Sequence, residues 1–228
     1  MEDIELMFIK TKYSCKGNNI PLHFFQMKKM YKNLLKIIFC LLFTSCIVQG
    51  LNINYNKLSE SEKLHFVPFN SSNLLKTVNY DEQNFKVEEI TSDNVKDVIQ
   101  NHKFVCIYSW VPYCKSTSCE NLNYYSNLEE KFKKWNLNFI IISETYDLED
   151  IKLSHKTSEY NKQLYVIKYD KANYGDQRKN VVTKFYNEIT SSNRWSSYYF
   201  YYDSKLIYSG NNCTESLVDS LIQTFNKN

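Results

Sequence analysis

The chain has 228 residues, with 28 lysines and arginines against 25 aspartates and glutamates for a formal net charge of +3, and is 43% hydrophobic and 16% aromatic. That apolar content suffices for a packed core and excludes a wholly disordered chain, while the length favours one domain with a small extension. Charges of both signs are dispersed, so no dense cationic face announces nucleic-acid binding and no nucleic-acid partner is expected.

Residues 1–26 read as an N-terminal extension, which a translation start assigned upstream of Met27 or Met30 would explain. Within residues 27–46, Lys28, Lys29 and Lys32 form a basic lead, an apolar run broken only by Lys36 follows, and Phe43-Thr44-Ser45-Cys46 closes the segment. The arrangement resembles a bacterial lipoprotein signal, in which small residues precede a cysteine that is lipidated and becomes the mature N-terminus. The apolar stretch 37–48 is about a dozen residues, short of the roughly 20 that an ordinary membrane-spanning helix needs. A signal anchor or a buried core helix is the alternative. The resemblance implies acyl chains on Cys46, membrane attachment through that lipid, and a place in the cell envelope facing the periplasm or the exterior. It also sets Cys106, Cys114, Cys119 and Cys213 in an oxidising compartment where disulfides persist.

Residues 47–80 are polar, rich in Asn and Ser, and read as a tether with a short helix over 59–65. Residues 81–228 read as the folded domain. Alternation at Phe85 and Val87 predicts an edge strand over 85–90, and Ser92 is a good N-cap for a helix through Val95, Val98 and Ile99 ending near Asn101. Residues 103–110 are apolar on both faces, as a central strand covered by helices requires. Leu122, Tyr125, Leu128, Phe132 and Trp135 recur at helical spacing, predicting a helix over 115–135, and Ile140, Ile141 and Ile142 mark a strand over 137–143. Strand, helix and strand make a βαβ unit whose strands should be parallel and whose crossover should be right-handed.

Helical or irregular structure is expected over 147–159, a short strand over 164–167, and a helix over 177–189 through Val181, Val182, Phe185 and Ile189. Strands over 198–203 and 206–209 form a hairpin around Asp203-Ser204-Lys205, and an amphipathic helix over 214–225 carries Leu217, Leu221 and Phe225. The expected fold is α/β: a central mixed sheet, built from the βαβ unit and the hairpin, flanked by helices in three layers.

Chemistry concentrates where the first central strand ends, in Ser109-Trp110-Val111-Pro112-Tyr113-Cys114-Lys115. A cysteine at a helix start is readily ionised, because unpaired amides and the helix dipole favour the thiolate. The segment resembles the active-site stretch of the thioredoxin-like superfamily, which runs apolar strand, Trp, Cys, two residues, Cys, Lys. Aligned without gaps, Trp110 falls on the family Trp, Pro112 and Tyr113 fall between the two family cysteines, and Cys114-Lys115 fall on the second Cys and its Lys. Val111 stands where the family places its attacking cysteine. The family also carries a cis-proline near the position of Ser197. Here Arg194-Trp195-Ser196-Ser197-Tyr198 has no proline, and a cis bond without one costs about 2.5–4 kcal/mol, so a trans loop is expected.

The resemblance implies thiol–disulfide exchange with protein thiols or disulfides as partners, and no cofactor. Three arrangements remain open. Cys114 attacks and Cys119 resolves; or Cys114 acts alone as a reactive thiol; or the two are inert or a structural disulfide on a fold without catalysis. Within a regular helix, five residues of rise would separate Cys114 and Cys119 by about 7.5 Å, beyond the usual Cα limit of about 7 Å for a disulfide. The pair therefore closes only if the first turn loosens or Cys114 precedes the helix, which Ser116-Thr117-Ser118 permits. Cys106 reads as a buried core residue and Cys213 as a free thiol near the last helix, and no spacing points to a metal site. The competing function is a partner-binding module without catalysis, using the tyrosine-rich stretch 198–202, which core packing would otherwise absorb.

Overall fold

Phe104–Trp110 is buried at all seven positions and forms an interior strand of the sheet. The computed structural model describes residues 54–74, 76–114, 121–192 and 195–225. Among them run strands β1 (Phe66–Pro68), β2 (Val87–Ile90), β3 (Phe104–Trp110), β4 (Leu137–Ser143), β5 (Tyr165–Ile167), β6 (Tyr198–Tyr202) and β7 (Lys205–Gly210). The helices are α1 (Glu60–Lys63), α2 (Ser92–Asn101), α3 (Leu122–Lys131), α4 (Leu148–Lys156), α5 (Lys171–Tyr174), α6 (Arg178–Thr190) and α7 (Glu215–Phe225). The strands join in one mixed sheet ordered β1-β2-β5-β4-β3-β6-β7. β3 pairs parallel with β4 along its whole length and antiparallel with β6 on its other side. The parallel unit β3-α3-β4, the hairpin β6-β7 and the closing helix α7 are the expected thioredoxin-like core.

Helices cover both faces. Tyr198 stacks on Tyr108, and its hydroxyl lies 2.7 Å from that of Tyr125 on α3. Tyr199, the next residue of β6, stacks instead on Tyr186 of α6. Strand alternation thus puts α3 and α6 on opposite sides of the sheet. α7 lies with α3 through the Lys131–Glu215 ion pair, and α2 packs on α6, where the Ser92 hydroxyl donates to Glu188 at 2.5 Å. The cap of α2 is Thr91, one residue before the one expected: its hydroxyl accepts the Asn94 N–H while the Asn94 side chain accepts the Thr91 N–H. The β6–β7 turn places Asp203 and Ser204 at φ 44° and 65°, the left-handed pair that matches the twist of a two-residue hairpin.

Two expectations are corrected. The stretch 47–80 is not only a tether: Phe66–Pro68 forms β1, parallel to β2, and Phe66 is buried. For that reason β2 is an interior strand rather than an edge, flanked by β1 and β5. The tyrosine run packs as core on both faces: Tyr198, Tyr199, Phe200 and Tyr201 are all buried, because helices cover both sides of β6. Fully burying Phe200 contributes roughly 2 kcal/mol.

Candidate functional site

The C-terminal end of β3 lies between a parallel and an antiparallel neighbour, so chains leave this point in different directions and open a crevice. The residues after Trp110 turn back at once, the Cys114 N–H donating to the Val111 carbonyl at 3.0 Å. Cys114 is disulfide-bonded; its partner sulfur lies outside the described residues, as do Lys115, Cys119 and the lipidation candidate Cys46. The helix expected from residue 115 is described from Leu122 to Lys131, capped by Asn121 Oδ1 on the Tyr124 N–H, and is followed by a 3-10 turn at Lys133–Trp135. The donors of that helix therefore cluster at Asn121 rather than at Cys114.

Cys114 borders two depressions. One, of about 210 Å³, is walled by Trp110, Pro112, Leu122 and Ser154. The other, of about 530 Å³, is walled by Val111, Tyr113, Tyr198, Arg178 and Trp195. Trp195 is 43% exposed at its rim, whereas Trp110 is buried. Of the residues expected to shape the site, Trp110 ends β3 and Val111, Pro112, Tyr113 and Cys114 form the turn that follows it.

Beneath the loop lies a charge pair that the sequence reading missed. Glu144, the residue after β4, is 2% exposed, and its N–H donates to the Trp110 carbonyl at 2.8 Å. Its carboxylate accepts Nε and Nη2 of Arg178, both at 2.5 Å, and the Ser109 hydroxyl at 2.6 Å. Arg178 Nη1 donates in turn to the Tyr113 hydroxyl at 3.2 Å. One carboxylate so ties the ends of β3 and β4 to the start of α6 and to the residue preceding Cys114. Two sequence signals stood by: a charge directly after the β-branched strand, and one of only two arginines among 28 basic residues. Arginine is the cation whose planar fork suits such a pair.

The other described cysteines are free and buried. Burial pushes the Cys106 thiol well above its usual range, which suits a core residue. In the loop where the family carries its proline, the Ser197 carbonyl accepts the Ser109 N–H at 2.8 Å, and no peptide bond among the described residues is cis. No cluster of three or more His, Cys, Asp or Glu poised for a metal occurs among the described residues.

These strands, this turn and the closing hairpin have the topology of a thioredoxin-like α/β fold. No family model matches the sequence, and no curated protein matches it. Among solved structures, the chain is similar to a candidate thiol-disulfide oxidoreductase from Bacteroides vulgatus at TM-score 0.36 and 16% identity, over 58% of this chain and 76% of that one. It is also similar to BsSco, a member of the Sco family of cytochrome c oxidase assembly proteins, at TM-score 0.35 and 14% identity, over 56% of this chain and 82% of that one.

Proposed function

We propose that this protein carries out thiol–disulfide exchange at Cys114, with Cys119 as the second sulfur of the bond. The observation that supports this reading above others is that Cys114 is oxidised at the mouth of a 530 Å³ depression on the C-terminal edge of β3, while Cys106 and Cys213 are free and buried. A partner thiolate attacks one sulfur of the bond, a mixed disulfide forms, and the other sulfur leaves as a thiolate; a second thiolate then releases the partner as a disulfide. The electrons come from the partner dithiol, and no cofactor enters.

The test is equilibration in glutathione redox buffers, followed by mass-tagged alkylation that reads the oxidation state of Cys114. A reversible transition, lost in Cys114→Ser, is expected. If Cys114 stays oxidised over the whole range of buffers and no mixed disulfide is captured, the bond is a structural staple and the fold serves partner binding instead.

The reading includes export with a lipid on Cys46, on the strength of the basic lead and apolar run before that residue. Cys46→Ala should abolish acyl labelling and membrane retention. Unchanged fractionation would remove the anchor from the proposal.

A further inference from the structure

We propose that Arg178, seated by the buried carboxylate of Glu144, is the positioning residue of the Cys114 site, holding Tyr113 and setting the stability of the Cys114 thiolate. The inference rests on the exchange reading above and adds the residues that would govern it. Three features carry it. First, among the described residues lining the 530 Å³ depression, Arg178 is the only one with a charged side chain, and Cys114 borders the same space. Second, two of its N–H groups are committed to an oxygen of Glu144, whose side chain is 1% exposed, while the Arg178 side chain remains 26% exposed. The guanidinium is thus anchored from below and open to the cavity above. Third, Arg178 Nη1 donates to the hydroxyl of Tyr113, the residue bonded to Cys114 in the chain.

A surface lysine could supply charge there, but not this geometry. Charge-assisted bonds from a planar fork hold a guanidinium in one orientation, and the buried acceptor leaves that orientation no alternative without stranding a carboxylate. When Cys114 is reduced, a fixed positive group bordering the same cavity favours the thiolate over the thiol, and a stabler thiolate makes the disulfide a stronger oxidant. Tyr113 transmits position: with its hydroxyl bonded to Arg178, the turn from Val111 to Cys114 is held at both ends, by the backbone bond and by the side chain.

The experiment compares wild type, Arg178→Lys, Arg178→Met and Tyr113→Phe in the full chain. The pH profile of iodoacetamide alkylation is followed at Cys114 after dithiothreitol reduction, beside the glutathione equilibrium constant and the thermal midpoint. Arg178→Met should move the alkylation profile to higher pH and shift the equilibrium about tenfold toward the disulfide. Arg178→Lys should recover part of both shifts, and Tyr113→Phe should give about a threefold shift at an almost unchanged midpoint. Should Arg178→Met fail to fold, the other two variants decide. If alkylation and equilibrium stay within twofold of wild type while only the thermal midpoint falls, Arg178 is a structural clamp and the proposal is overturned. A wild-type protein that does not exchange with glutathione sinks the exchange reading, yet the alkylation profiles still decide whether Arg178 acts on Cys114.

Discussion

Two glutamates are equally buried in this protein, each 2% exposed, and they do different work. Glu88, on β2 at the far flank of the sheet, accepts the Asn70 N–H at 3.0 Å and Asn73 Nδ2 at 2.8 Å, and has no ion pair among the described residues. Glu144, at the end of β4, holds the guanidinium of Arg178. The first stitches the segment around Asn70 to β2 with neutral donors. The second fixes a cation beside the loop that carries Cys114. Burial alone therefore says little about a carboxylate's role: what matters is whether its partner is itself aimed at a reactive group.

The sharpest way to break that comparison is Arg178→Ala. It leaves Glu144 buried and uncompensated and should cost about 3 kcal/mol in denaturant unfolding; a loss under about 1 kcal/mol would mean that water reaches the carboxylate freely. Next comes the contrast between thiols. In the reduced, folded protein Cys114 should alkylate about a hundredfold faster than Cys106, because Cys106 is wholly buried and its thiol is pushed up, and peptide mapping over time checks it. Comparable rates would place Cys106 within reach of solvent.

Glu88→Ala should cost about 2 kcal/mol by loosening the segment near Asn70, but it should leave the redox equilibrium of Cys114 unchanged. A shifted equilibrium would merge the two regions that the structure separates.

The smallest effect expected is a pH slope from His155. It is 3% exposed among Tyr80 and Phe85, its Nδ1 has no hydrogen-bond partner among the described residues, and burial holds its pKa below the ordinary 6.5. The neutral form is the one the fold accommodates, so this contribution is complete above pH 6.5 and is lost as the pH falls below it toward the lower folded value. His155→Phe should flatten unfolding stability between pH 7 and 5 relative to wild type. An unchanged slope would assign it to other groups, such as His102, whose pKa burial also lowers.

Much of the frame was legible in the chain. The unbroken apolar run of β3, the isoleucines of β4, the helical spacing of Leu122, Tyr125 and Leu128, and the hairpin around Asp203 and Ser204 each follow from local pattern. β1 did not: three residues ending in proline, inside an Asn- and Ser-rich stretch, carry no periodicity, and only pairing with β2 makes them a strand. Core packing of residues 198–201 was expected, but that both faces are covered was not, since alternation predicts faces but not whether a helix covers both.

The site divides along the same line. Local sequence placed Trp110, Pro112, Tyr113 and Cys114 on one turn, because neighbours in the chain stay neighbours in the fold. Tertiary structure alone decided that Glu144 and Arg178, 34 residues apart, meet under that turn. A charge pair leaves no periodic trace in sequence, and its partners are selected only when strand order and helix packing bring their backbones together.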